Sequence, residues 1–182
     1  MTHILAAALV LHLSNYSGAP AVVVQHAQEE VTRVYAEIGV PLEWRDPSAP
    51  GADRQPAIRV VLLPYETGDL RRSDKAVMGA AMRSARGNAV AYIYYRRVQA
   101  EAERYEVSTG LVLACAIAHE LGHLLLPVRS HAPDGLMRGC WSRDEFHRAE
   151  QGQLKFRPEE VAWIHARLDA PVEHERGDRA RD

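Results

Sequence analysis

The spacing of hydrophobic positions changes several times along this chain, and each change predicts an element. Val10-Leu11-His12-Leu13, followed by Asn15-Tyr16-Ser17-Gly18, reads as a first strand ending in a turn. From Pro20 to about Ile38 the spacing becomes helical, with Val23, Ala27, Val31, Val34 and Ile38 on one face and Glu29, Glu30, Arg33 and Glu37 elsewhere. Gly39 ends that helix, Val40 to Trp44 is a short strand, and Pro47 to Pro56 is a linker with turn chemistry. Ile58 to Leu63 is a nearly unbroken apolar run, which suits a strand buried in the middle of a sheet. Gly68 to Gly87 has little periodicity and is expected to be loop with one helical turn at most. Gly87-Asn88 then marks a turn into β-forming residues from Asn88 to Val98, among them Tyr92, Tyr94 and Tyr95.

The longest apolar stretch runs from Leu111 to Leu126. Ile117, Leu121, Leu124 and Leu125 recur at the intervals of a helical core face, and the remaining stripe carries His119, Glu120 and His123. Pro127 ends this helix, because its ring blocks continuation and biases the preceding residue away from helical geometry. Ser142 and Glu145 form a capping box that opens a short helix to about Gln151. Arg157-Pro158-Glu159-Glu160 opens a final helix with Val161, Ile164 and Leu168 towards the core. Beyond Pro171 the sequence is charged and poor in apolar residues, so 171–182 is expected to be a disordered tail.

Within the apolar helix, His119-Glu120-Leu121-Gly122-His123 is a His-Glu-x-x-His element. Residues four apart project from one helix face, so both imidazoles can bind a single zinc ion, with Glu120 placed to take a proton from a metal-bound water. Burying a carboxylate between two histidines is costly unless a cation compensates it. The plainer reading is a pair of core histidines satisfied by hydrogen bonds. Past Pro127 the chain turns, and His131 can fold back as a third ligand, which completes the three-ligand count of a catalytic zinc with one position left for water.

From His119 to Met137 the chain resembles the metzincin clan of zinc endopeptidases, whose pattern is His-Glu-x-x-His-x-x-Gly-x-x-His followed by a methionine turn. Gly135-Leu136-Met137 is similar to that turn in matrixin-like members. The whole run also resembles uncharacterised bacterial proteins that pair a His-Glu-Leu-Gly-His-Leu-Leu-Leu helix with downstream Ser-His and Gly-(Leu/Ile)-Met. The chain departs from the clan in that the third histidine comes twelve residues after His119 rather than ten, with Leu126 where a glycine usually bends the chain. The matching core covers about a tenth of the sequence.

The resemblance implies a zinc-dependent endopeptidase with one catalytic zinc on His119, His123 and His131, Glu120 as general base and Met137 as a floor beneath the metal. It further implies a peptide or protein substrate docked as an extra antiparallel strand on an edge strand above the active helix, a role that Asn88 to Val98 would fill. The three tyrosines there are equally well explained by cross-strand packing. No tyrosine follows Met137 closely enough to serve as an extra ligand or oxyanion donor. The resemblance favours a secreted or cell-envelope location, and a monomer is expected.

Other assignments remain open. An acidic third ligand, Asp144 or Glu145, would give the gluzincin arrangement, although the capping box already accounts for Glu145. His147 could replace His131, but it sits among Arg143, Arg148 and Glu150. A binding module with structural zinc is the non-enzymatic reading, and the intact Glu120 argues against it, since structural zinc needs no general base.

At 182 residues and 47% hydrophobic content the chain suits one domain with an ample core, without internal repeats. The expected fold is α+β: a single compact domain over 1–170, with a twisted mixed sheet of about four strands, the active-site helix beneath it and a small helical C-terminal part. A formal charge of −2 disfavours nucleic acid, and Arg71-Arg72 and Arg96-Arg97 are short basic clusters suited to solvated surface. Ile4 to Leu13 is too short for a membrane span, lacks a preceding Lys or Arg and is interrupted by His12, so the chain is expected to begin at its first strand with any export signal absent or removed. Two cysteines make no disulfide framework; Cys115 suits a buried thiol, with a Cys115–Cys140 bridge as the alternative.

Overall fold

The computed structural model describes residues 8–49, 57–66, 77–84, 88–127 and 131–170. The far N-terminal apolar residues, most of the linker to Pro56, Arg71-Arg72, Gly87 of the expected turn and the tail from 171 lie outside the described residues.

Among the described residues, one mixed sheet holds five strands: β1 (Leu9–Asn15), β2 (Leu42–Arg45), β3 (Ile58–Leu63), β4 (Gly79–Arg83) and β5 (Ala89–Tyr94), in the order β2-β1-β3-β5-β4. All pairings are parallel except that of β4 with β5. The apolar run Ile58 to Leu63 is indeed central. In-register residues stack across the sheet: Leu11 faces Ile58 and Ile58 faces Ala89, while Leu62 faces Ile93. With Val60 and Ala91, these alternate positions form one apolar face that joins the core.

Among the described residues, five helices complete the α+β domain: α1 (Ala21–Glu37), α2 (Tyr95–Tyr105), α3 (Thr109–Leu125), α4 (Arg143–Glu150) and α5 (Pro158–Asp169). Helix α3 is the central element, packed against α1, α2, β4 and β5. It is buried almost all round, His119 and Glu120 included, so its apolar content exceeds that of a one-sided core helix. The Tyr35 hydroxyl of α1 donates to the Ala118 carbonyl of α3 at 3.1 Å. That bond joins the two long helices one residue before His119.

Three sequence expectations are corrected. The stretch Gly68 to Gly87, expected to be loop, contains β4, the fifth strand of the sheet. Gly79-Ala80-Ala81 has little intrinsic strand preference, and its extended state comes from pairing with β5. The expected strand from Asn88 to Val98 stops at Tyr94, and β5 is an inner strand; Tyr95 begins α2. Tyr95, Val98 and Ala102 are buried at helical spacing, which outweighs the β-forming character of the preceding tyrosines. Leu168, expected in the core, is exposed on α5, whereas Ile164 is fully buried.

The remaining boundaries agree closely with the hydrophobic pattern. Helix α3 ends at Leu125, two residues before Pro127. Helix α4 begins after Ser142, whose backbone N–H and hydroxyl both donate to Glu145 Oε2, at 2.7 and 2.6 Å. Among the described residues no helix is long and apolar enough to cross a membrane.

Candidate metal centre

Helix α3 presents His119 and His123 one turn apart, with ring centroids 4.6 Å apart. Helix α3 stops at Leu125, and His131 lies beside the same pair, its ring 5.2 Å from His119 and 5.1 Å from His123. One nitrogen from each of the three rings lies within 4.8 Å of the others, so the group could hold a metal ion. The two additional residues between His123 and His131, relative to the clan's spacing, do not prevent convergence.

A tight turn lies below the helix. The Ala132 N–H donates to the Met137 carbonyl at 2.9 Å, and Leu136 N–H to the Lys155 carbonyl at 2.9 Å. Gly135 takes a left-handed φ of +74°, where a β-carbon would also stand 2.8 Å from the Lys155 carbonyl oxygen. This geometry leaves Met137 fully buried under α3. Its sulfur occupies the space that a β-carbon on Gly122 would need, so the close approach of turn to helix depends on the glycine inside the motif.

The same turn orients His119. Its Nδ1 donates to the Leu136 carbonyl at 2.9 Å, which leaves Nε2 as the nitrogen able to bind metal. Burial pushes the His119 ring down to about 3, against the hydrogen bond to Leu136 that favours protonation; the neighbouring His123 and His131 lower it further. At neutral pH it is therefore the neutral base that metal binding requires.

Glu120 is buried beside these rings, and its Oε2 has no hydrogen-bond partner among the described residues. Burial pushes its carboxyl up to about 8. A cation held by the three imidazoles would reverse that preference and favour the carboxylate. The unmet Glu120 oxygen and the converging imidazole nitrogens thus fit a bound metal ion better than a pair of satisfied core histidines.

A cleft of about 510 Å³ opens onto these groups. One wall is the edge of the sheet, Val77 to Ala81, and the opposite wall is Arg138 to Trp141. The Trp141 ring stands edge-on to His119, centroids 5.4 Å apart. Gly139 lies against His131, so that a β-carbon there would meet the ring at 2.8 Å. Periodicity and spacing did not single out β4, Gly139 or Trp141; each matters through a contact between segments remote from one another or outside the motif.

The alternative ligands go elsewhere. Glu145 accepts from Ser142 and pairs with Arg138. Burial opposes ionisation of Glu145, but the Ser142 hydrogen bonds and the Arg138 charge outweigh it and hold its pKa at about 2. Asp144 is exposed and does not join the histidine group. His147 is exposed on α4 and pairs with Glu150 at 3.0 Å. Cys115 is a buried free thiol, pushed up to about 12 by burial, and Cys140 is exposed at the cleft, so the two are not bridged. Tyr94 is fully buried at the end of β5, in keeping with a packing role, and Tyr92 is half-buried.

No protein-family model matches the sequence, and no curated protein matches it. The functional reading therefore rests on the chemistry of the site.

Proposed function

We propose that this protein is a zinc-dependent endopeptidase of metzincin type. The observation that carries the reading is the convergence of His119, His123 and His131 beside a buried Glu120 whose Oε2 has no hydrogen-bond partner among the described residues, where a cleft opens. Three imidazoles suit zinc, and a general base beside them has no use in a purely structural site. When bound, zinc supplies a Lewis acid that acidifies water and polarises a carbonyl.

The chain's own residues do the remaining work. His119 is held in one tautomer by Leu136, so its metal-binding nitrogen points in a set direction without rearrangement. Glu120, which lies against Gly79 of β4, moves the proton, taking it from the attacking water and passing it to the leaving amine. Strand β4 is the sheet edge along the cleft, and an extended peptide can add to it as an antiparallel strand. This assigns to β4 the substrate role expected of Asn88 to Val98. Glu145 is engaged at a helix cap, which weighs against an acidic third ligand.

The test is hydrolysis of a broad peptide library by the wild type and by Glu120→Gln, with zinc measured in both proteins. The proposal expects cleavage that a chelator abolishes and zinc restores, and a Glu120→Gln protein that keeps zinc but loses cleavage. A zinc-loaded wild type that cleaves no library member would overturn it.

A further inference from the structure

The metal cleft has a neighbour. A second groove of about 490 Å³ lies beyond the C-terminal end of α3 and shares His123 with the first. Its floor is apolar, with Leu124, Leu126 and a half-exposed Trp163 from α5. Among the described residues its charged lining is cationic, Arg83 and Arg167. Arg83 ends β4 and donates through Nη2 to the Leu124 carbonyl at 2.8 Å, which ties the strand's end to the helix's end. Arg167 lies exposed in the last turn of α5.

We infer that this groove receives the substrate residues on the N-terminal side of the scissile bond and selects acidic side chains there; the inference rests on the peptidase reading. Direction follows from the sheet. Strand β4 runs from Gly79, beside Glu120, towards Arg83, at the second groove. A peptide added antiparallel therefore enters at Arg83, passes His123 and leaves along Val77 and Met78. Its residues before the scissile bond lie over the second groove. Extended side chains alternate, so one can settle on the Leu124, Leu126 and Trp163 surface while a neighbour reaches the arginine rim. Arg167 attracts a carboxylate there and repels Lys or Arg, and among the described residues no acidic side chain lines the groove.

The experiment profiles cleavage of a randomised peptide library by mass spectrometry, counting residues at the three positions before each cut bond. The wild type should favour Asp and Glu over Lys and Arg by about fivefold, the scale of one exposed ion pair. Added salt should shrink that ratio. Arg167→Glu should reverse the preference and Arg167→Gln should flatten it; because each result is a ratio within one sample, it does not depend on how much protein folds. Cleavage without a charge preference at these positions, or a preference unchanged in both variants, overturns the inference and leaves the peptidase reading standing. No cleavage by the zinc-loaded wild type overturns both.

Discussion

Gly79 of β4 lies so close to Glu120 of α3 that a β-carbon at position 79 would stand 2.7 Å from Cγ and 2.8 Å from Oε1 of the glutamate. The same β-carbon would meet the Tyr92 carbonyl oxygen at 2.7 Å, so backbone on the other side prevents the strand from yielding. The edge strand therefore packs against the proposed base with no room for a side chain at position 79.

Gly79→Ala should displace Glu120 while leaving the three histidines in place. Peptide hydrolysis is expected to fall by about a hundredfold, the scale of an ångström-sized misplacement of a catalytic group, with zinc content unchanged. Steady-state kinetics beside metal analysis checks this; full activity in the alanine variant would mean that Glu120 is not held by the strand.

Separate alanine substitutions of His119, His123 and His131 should each remove most bound zinc, since each supplies a large share of the coordination energy. Asp144→Ala and Glu145→Ala should keep it, the latter at a cost of about 1 kcal/mol for a lost helix cap. Zinc retained in His131→Ala and lost in Glu145→Ala would transfer the third ligand to α4.

Removing the buried side chain beneath the helix, Met137→Ala, should destabilise the fold by about 2–5 kcal/mol, as truncation of a buried methionine does. Denaturant unfolding of the zinc-free protein isolates this packing contribution from any effect on metal binding. A loss below about 0.5 kcal/mol, typical of surface substitutions, would contradict its role as a packed floor.

Glu145 carries a pH signature. Its folded pKa of about 2 lies below the ordinary value of 4.5, so the ionised form stabilises the native state. That contribution is fully present above about pH 4.5 and is lost as the pH falls through about 2. The stability gap between wild type and Glu145→Gln should therefore be widest near neutral pH and narrow on acidification, as urea titrations at several pH values would reveal. A gap that widens towards low pH would contradict the Ser142 and Arg138 contacts.

Much of the molecule is legible in the sequence itself. The helical period from Pro20 to Ile38, the apolar run of β3, the stop at Pro127 and the capping box at Ser142 each depend on neighbours in sequence, so local physics decides them. The histidine pair on α3 belongs to the same kind, because helical geometry alone sets residues 119 and 123 on one face. His131 was an expected ligand from its spacing, but its meeting with that pair depends on the turn through Gly135 and Met137.

Only the tertiary structure decided the rest. Gly79-Ala80-Ala81 becomes a strand because β5 offers it hydrogen bonds, and Tyr95 becomes helical because α2 buries Val98 and Ala102 against the core. The cleft walls, Gly139 against His131 and Trp141 against His119, arise from contacts that no period or motif records. A sequence determines directly what its own backbone and nearest side chains can satisfy; pairing across a sheet edge and the shape of a cleft depend on which distant surfaces meet, and hydrophobic burial sets those only once the whole chain has packed.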